Sequence, residues 1–124
     1  METSCFWRFI KDPENPRLVA ITAAPPKWYK GRCYPALAPR WKMLMMDETT
    51  YRKEYRKMLD RLNPKKVFED LGADAILLCW EHDGNNCHRR IVAEWLEEKL
   101  GVRIEEIPFK AGEKQKKPRQ LALF

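Results

Sequence analysis

Apolar residues recur along this chain in two rhythms. Leu18-Val19-Ala20-Ile21-Thr22 and Ala75 to Trp80 are short, nearly continuous apolar runs, and both read as buried strands. Ser4 to Ile10 alternates and is aromatic, which suggests a further short strand, broken by Asp12-Pro13-Glu14-Asn15-Pro16. A helical rhythm takes over from Asp47 to Leu62. There Tyr51, Tyr55, Met58, Leu59 and Leu62 share one face, with Arg52, Lys53, Glu54, Arg56 and Lys57 on the other. Asn63-Pro64 interrupts it, and Pro64 is suited to open a second helix that runs through Leu71 and stops at Gly72. A third helix is expected from about Cys87 to Leu100, with Asn86 as N-cap and Gly101 just past its end. Arg90 should lie on its solvent face, paired with Glu94. Val102 to Ile107 reads as the next strand. The strand–helix–strand order implies a parallel crossover, and hence an α/β domain with a mainly parallel sheet.

The length of 124 residues fits one domain, taken as residues 1–109, followed by a flexible basic tail over 110–124. No apolar run approaches the roughly 18 residues needed to span a bilayer, and the N-terminus lacks an apolar leader segment, so a cytoplasmic protein with no membrane partner is expected. Its four cysteines, Cys5, Cys33, Cys79 and Cys87, are therefore expected to be thiols.

Charge changes the picture once it is located. Ala23 to Met46 carries +5 with no carboxylate and Lys110 to Phe124 carries +4; against a total of +6, this leaves the rest of the chain at −3. A basic loop and a basic tail on a mildly acidic body suit a polyanionic partner. In the loop the cations are interleaved with aromatic residues. Lys27, Lys30 and Arg32 could neutralise phosphates, and Trp28 and Tyr29 could stack on bases, so DNA or nucleotides are the expected ligands. The alternative is that the rings belong to the core.

The densest chemistry lies between Cys79 and Arg89. Ligands of an open parallel sheet sit beyond the carboxyl ends of its strands, where helices begin. There Cys79 and Glu81 leave the strand and Cys87, His88 and Arg89 open the helix. The helix dipole would favour a Cys87 thiolate, His88 can move a proton near neutral pH, Glu81 can act as base or orient it, and Arg89 can hold an anion. In the structural alternative, Cys79 is a small core residue, Glu81 and Arg89 form an ion pair, and Cys87 and His88 cap the helix. Zinc held by Cys79, Cys87, His88 and Cys33 is a third possibility. Adjacent residues on a helix diverge by about a hundred degrees and no Cys-x-x-Cys pair is present, so no cofactor is expected.

The stretch AILLCWEHDGNNCHRRIVAEWL resembles the signature of the domain-of-unknown-function family 488 (DUF488), and VAITAAPPKWYKGRCYPALAP is similar to the opening strand and loop of its shorter members. Ala23-Ala24 departs from that pattern, where a basic or small polar residue would be usual. The resemblance implies a small Rossmann-like, three-layer domain with its active site at Cys79, Glu81, Cys87, His88 and Arg89. It implies no particular reaction.

The chain ends in QLALF, which resembles the peptide by which bacterial DNA polymerases and repair proteins hold the DNA sliding clamp. Carried over, Gln120 would anchor by hydrogen bonds, Leu121 would pack at the rim, and Leu123 and Phe124 would fill the apolar cleft. Together these readings lead to an expected enzyme of DNA repair or modification, bacterial or phage, acting on a base, nucleotide or phosphate and recruited by the clamp. A non-catalytic DNA and clamp adaptor, or an inhibitor competing for the clamp, is the alternative. A thiol- or metal-dependent protein is a third.

Overall fold

The computed structural model describes residues 1–80 and 87–107. Glu81, Gln120, Leu121, Leu123 and Phe124, with the expected boundary at 109/110, lie outside the described residues. Strands β1 (Glu2–Cys5), β2 (Leu18–Ala20), β3 (Arg32–Cys33), β4 (Ile76–Cys79) and β5 (Glu105–Glu106) form one sheet in the order β3-β2-β4-β1-β5, parallel at each pairing. Helices α1 (Glu48–Asp60), α2 (Pro64–Leu71) and α3 (His88–Leu100) complete an α/β domain of Rossmann-like kind.

Local chemistry accounts for the helix ends. The Asp47 carboxylate caps α1 by accepting from the Thr50 amide at 3.3 Å. The Asn63 side chain accepts from the Lys65 and Lys66 amides, ahead of Pro64 at the start of α2. Gly101 ends α3 at φ 69°, a left-handed conformation that glycine adopts without a Cβ penalty.

The alternation of the strands then distributes two cores. Val19, Ile21, Ala75, Leu77 and Ile104 pack against Tyr55, Leu59, Val67, Leu71, Trp95 and Leu96 of the three helices. On the other face, Leu18, Ala20, Ile76 and Leu78 are covered by Phe6 and Tyr29, with Trp28 and Trp80 packed alongside. This third layer is an aromatic lid of 3-10 turn and loop. Phe6 meets Tyr29 and Trp80 edge-on, with ring centroids 5.4 and 5.5 Å apart.

Several expected elements differ. The first strand is Glu2–Cys5, and Phe6–Phe9 is a 3-10 turn, because Phe6 must fold back over the sheet to be buried. The loop after β2 contains β3, whose two residues are exposed and carry no apolar pattern. The strand after α3 narrows to Glu105–Glu106. Cys87 is the N-cap of α3, and its side chain makes no capping hydrogen bond; the expected cap, Asn86, lies outside the described residues.

Candidate active site

The connection leaving β2 runs outward to β3, and that leaving β4 runs the other way, past β1 to β5. The carboxyl ends of β2 and β4 are therefore the sheet's topological switch point, the crevice position at which ligands of parallel sheets bind. Ile21 and Thr22 follow β2 at this crevice, Cys79 ends β4, and Cys87, His88 and Arg89 enter α3. Cys79, Cys87, His88 and Arg89 are each buried to 0% exposure. The structure thus brings together the four described members of the expected set.

Cys79 and Cys87 are joined as a disulfide across a Cα separation of 7.3 Å, whereas Cys5 and Cys33 are free. The expectation of four thiols is corrected for this pair. Cys79 sits at the end of a strand and Cys87 at the neck of a helix that begins beside it. Cys5 is the register partner of Cys79 on β1, so three of the four cysteines meet at this end of the sheet. Burial pushes the Cys5 thiol pKa up, opposed by backbone hydrogen bonds from Arg8 and Trp7 and by Arg89.

His88 Nε2 lies 2.6 Å from the Ile21 carbonyl oxygen, an arrangement in which the ring donates from Nε2. Its Nδ1 faces Cys87 Sγ at 3.8 Å, and Tyr55 packs edge-on at 5.6 Å between ring centroids. Burial lowers the imidazole pKa to about 4, aided by the nearby Arg89 charge and opposed by the bond to Ile21. At neutral pH the ring is uncharged, and with Nε2 donating to Ile21 its Nδ1 is the acceptor nitrogen.

Arg89 is held by a residue the sequence did not single out. Its Nε and one terminal nitrogen donate to the two carboxylate oxygens of Glu106 at 3.0 and 2.8 Å. The other terminal nitrogen reaches Cys79 Sγ at 3.1 Å. Glu106 also accepts from the Thr3 hydroxyl at 2.6 Å, and Thr3 in turn accepts from Arg90 at 2.7 Å. Arg90, which also donates to the Ile104 carbonyl at 3.2 Å, is therefore turned toward β1 and the segment before β5. Its expected solvent-side pairing with Glu94 is corrected, and Glu94 instead lies 3.9 Å from Arg52. The signal that could have found Glu106 is an acidic residue at the carboxyl end of the next strand. It becomes specific only when β5 is placed beside β1.

The basic aromatic loop does not converge on this crevice. Tyr29 is a core residue whose hydroxyl donates to the Arg32 carbonyl at 2.5 Å, and burial raises its pKa to about 12. Trp28 is half-buried against Phe6. Lys27, Lys30 and Arg32 are exposed. Lys30 and Arg32 border an open cleft of about 650 Å³ with Glu14, Asn15 and Leu18, at the amino ends of β2 and β3. The Arg32 guanidinium also donates to the Leu71 carbonyl at 2.9 Å. The exposed ring of this segment is Trp41, 73% accessible, flanked by exposed Arg40 and Lys42 and followed by Met45 at 83%.

Comparison with known families decides the lineage. The DUF488-N3a model, described as the active DUF488-N3 subclade, matches residues 2–100. The chain belongs to the DUF488-N3a family. The match takes in β1 to β4, all three helices and the Cys79, Cys87, His88 and Arg89 cluster, while Glu106 lies beyond it. No curated protein and no solved structure matches the chain significantly. No helix among the described residues is long and apolar enough to cross a membrane.

Proposed function

We propose that this DUF488-N3a protein is an enzyme of DNA repair or modification. It acts on a nucleic-acid base, nucleotide or phosphate with Cys79, Cys87, His88, Arg89 and Glu81, and is recruited to DNA by the bacterial sliding clamp through Gln120, Leu121, Leu123 and Phe124. The observation that carries the catalytic part is the full burial of two sulfurs, an imidazole and a guanidinium at one strand-end crevice. Desolvating such groups together is costly, and sites of chemistry are where polypeptides sustain that cost. The family's description as an active subclade agrees with this.

Arg89 is the anion-recognising group, fixed by Glu106 so that its remaining edge faces the sulfurs. His88, uncharged, takes a proton through Nδ1 from Cys87 or from a substrate group beside it. The thiolates exist only in the reduced protein, so activity requires opening of the Cys79–Cys87 bridge. Lys27, Lys30 and Arg32, exposed and outside the crevice, hold the phosphate backbone away from the reacting centre. The QLALF peptide supplies local concentration at DNA threaded through the clamp.

The test uses the full chain under reducing conditions. It is assayed against duplexes carrying damaged or modified bases and against free nucleotides, with and without purified bacterial sliding clamp. Turnover abolished by Cys87→Ser and by His88→Ala, with clamp binding intact, is the expected result. Clamp binding should vanish in Leu123→Ala/Phe124→Ala while turnover on short oligonucleotides persists. If every substrate is untouched and only the clamp is bound, the protein is a clamp adaptor or competitor and the enzymatic reading fails.

A further inference from the structure

Cys79 Sγ, Cys87 Sγ and a ring nitrogen of His88 all lie within 4.8 Å of one another, with Nδ1 3.8 Å from Cys87 Sγ, and all three residues are buried. On a regular helix, side chains of adjacent residues point about a hundred degrees apart, which would separate Cys87 from His88. Cys87, however, is the N-cap, with extended φ −100° and ψ 143°, and is free to turn its sulfur toward the imidazole of the first helical residue. We propose that, in the reduced protein, Cys79, Cys87 and His88 bind a divalent zinc ion.

Three features support the assignment. The Ile21 carbonyl fixes the proton on Nε2 and so turns Nδ1 into the ring's acceptor nitrogen, the way backbone carbonyls orient imidazoles that ligate metals. Arg89 is paired with Glu106 in a two-point contact, and two buried thiolates would match the charge of one divalent cation. Arg89 then donates to the Cys79 sulfur, a contact that suits a thiolate ligand. Finally, the 7.3 Å between the Cα atoms of Cys79 and Cys87 exceeds the roughly 4.4–6.8 Å that disulfides usually span, and leaves room for an ion between separated sulfurs.

The disulfide is the metal-free, oxidised form. A dithiol reductant supplies two electrons and two protons, becoming a disulfide itself as Cys79 and Cys87 become thiols. Zinc then takes up the two sulfurs, and two protons pass to solvent. What the ion would do in catalysis rests on the enzymatic reading above; binding itself does not.

The experiment takes the full chain, reduced with a phosphine, freed of metal by dialysis against chelator, and titrated with Zn²⁺ or Co²⁺. We expect about one equivalent bound, release of two protons, and a tetrahedral Co²⁺ spectrum with thiolate charge-transfer bands. Zn²⁺ should raise the thermal midpoint of the reduced wild-type chain and leave that of the oxidised chain unchanged. Cys87→Ser should lose the charge-transfer intensity, and Cys33→Ser should keep it. The wild-type comparison stands even where a buried-site variant does not fold. A reduced wild-type chain that binds less than a tenth of an equivalent overturns the site (~0.1 against ~1). Retention of the full Co²⁺ spectrum in Cys87→Ser overturns it equally. Metal bound by a protein inactive on every nucleic acid supports the site and removes the enzymatic reading. Turnover without metal binding does the reverse.

Discussion

Replacing Glu106 by Gln removes a carboxylate paired with a guanidinium that has no access to water. The Arg89 side chain is 0% exposed and that of Glu106 27%, and the pair is joined at 3.0 and 2.8 Å. Breaking a buried pair from one side typically costs 3–5 kcal/mol, because the surviving charge stays buried. Two details lower the figure here. Water reaches Glu106 over about a quarter of its side chain, and a Gln amide oxygen can still accept one bond from Arg89. The expected loss is therefore about 2–3 kcal/mol, a large share of the 5–15 kcal/mol by which domains of this size are stable.

Urea unfolding followed by tryptophan fluorescence at neutral pH, with every variant in the same redox state, measures this directly. Glu106→Gln should lower the midpoint without changing the slope. The double variant Arg89→Met/Glu106→Gln should be more stable than the single-variant losses would sum to, with a coupling of roughly 1.5 kcal/mol or more. A loss below about 0.5 kcal/mol, or an additive cycle, would refute the reasoning. It would mean that Glu106 does not hold Arg89, and that β5 does not pair with β1 as described.

Three further outcomes follow from single groups. His88 is held neutral by burial, with its pKa lowered to about 4 from an ordinary 6.5, so the unfolded chain takes up a proton that the folded chain refuses. Its contribution is therefore full above pH 6.5 and is lost as pH falls toward 4, about 3 kcal/mol in all. The disulfide-bonded protein should lose that much more stability across the window than disulfide-bonded His88→Gln does, and parallel profiles would sink the assignment. Tyr55→Phe leaves the Leu37 carbonyl without the hydroxyl that donates to it at 2.6 Å in the core, and should cost about 1–2 kcal/mol in the same urea assay. Gly101→Ala forces a Cβ onto a residue at φ 69° and should cost about 1 kcal/mol, although nothing lies within 4 Å of the added atom.

What the sequence disclosed follows the range of each interaction. The start of α2 is written in Asn63 and Pro64, and the end of α3 in Gly101, since caps act within a few residues. The Cys79 to Arg89 cluster was legible because a strand end and the following helix start are close in sequence as well as in space. Tyr29 stands among basic neighbours that suggest an open surface, yet its ring is buried beside Phe6 on the far face of the sheet. β3 carried no signal, since two exposed residues join the sheet through the β2 edge alone. Arg90 obeyed a tertiary partner, Thr3, over the helical neighbour that local spacing offered.

Glu106 shows why such a partner is invisible until the register is known. On β1, Thr3 and Cys5 point to the helix side of the sheet; Thr3 is level with Glu106 of β5, and Cys5 with Cys79 of β4. One strand therefore carries both ends of the arrangement, the hydroxyl that steadies the carboxylate and the neighbour of the Cys79 sulfur two residues on. Arg89 spans the interval from Glu106 to the Cys79 sulfur. The two residues of β5 look dispensable by length, but they aim the guanidinium. A slip of one residue between β1 and β5 would turn Glu106 to the opposite face and take its carboxylate away from Arg89. The register of the shortest edge of the sheet is thus tied to the electrostatics of the crevice, and the Glu106 cycle probes both at once.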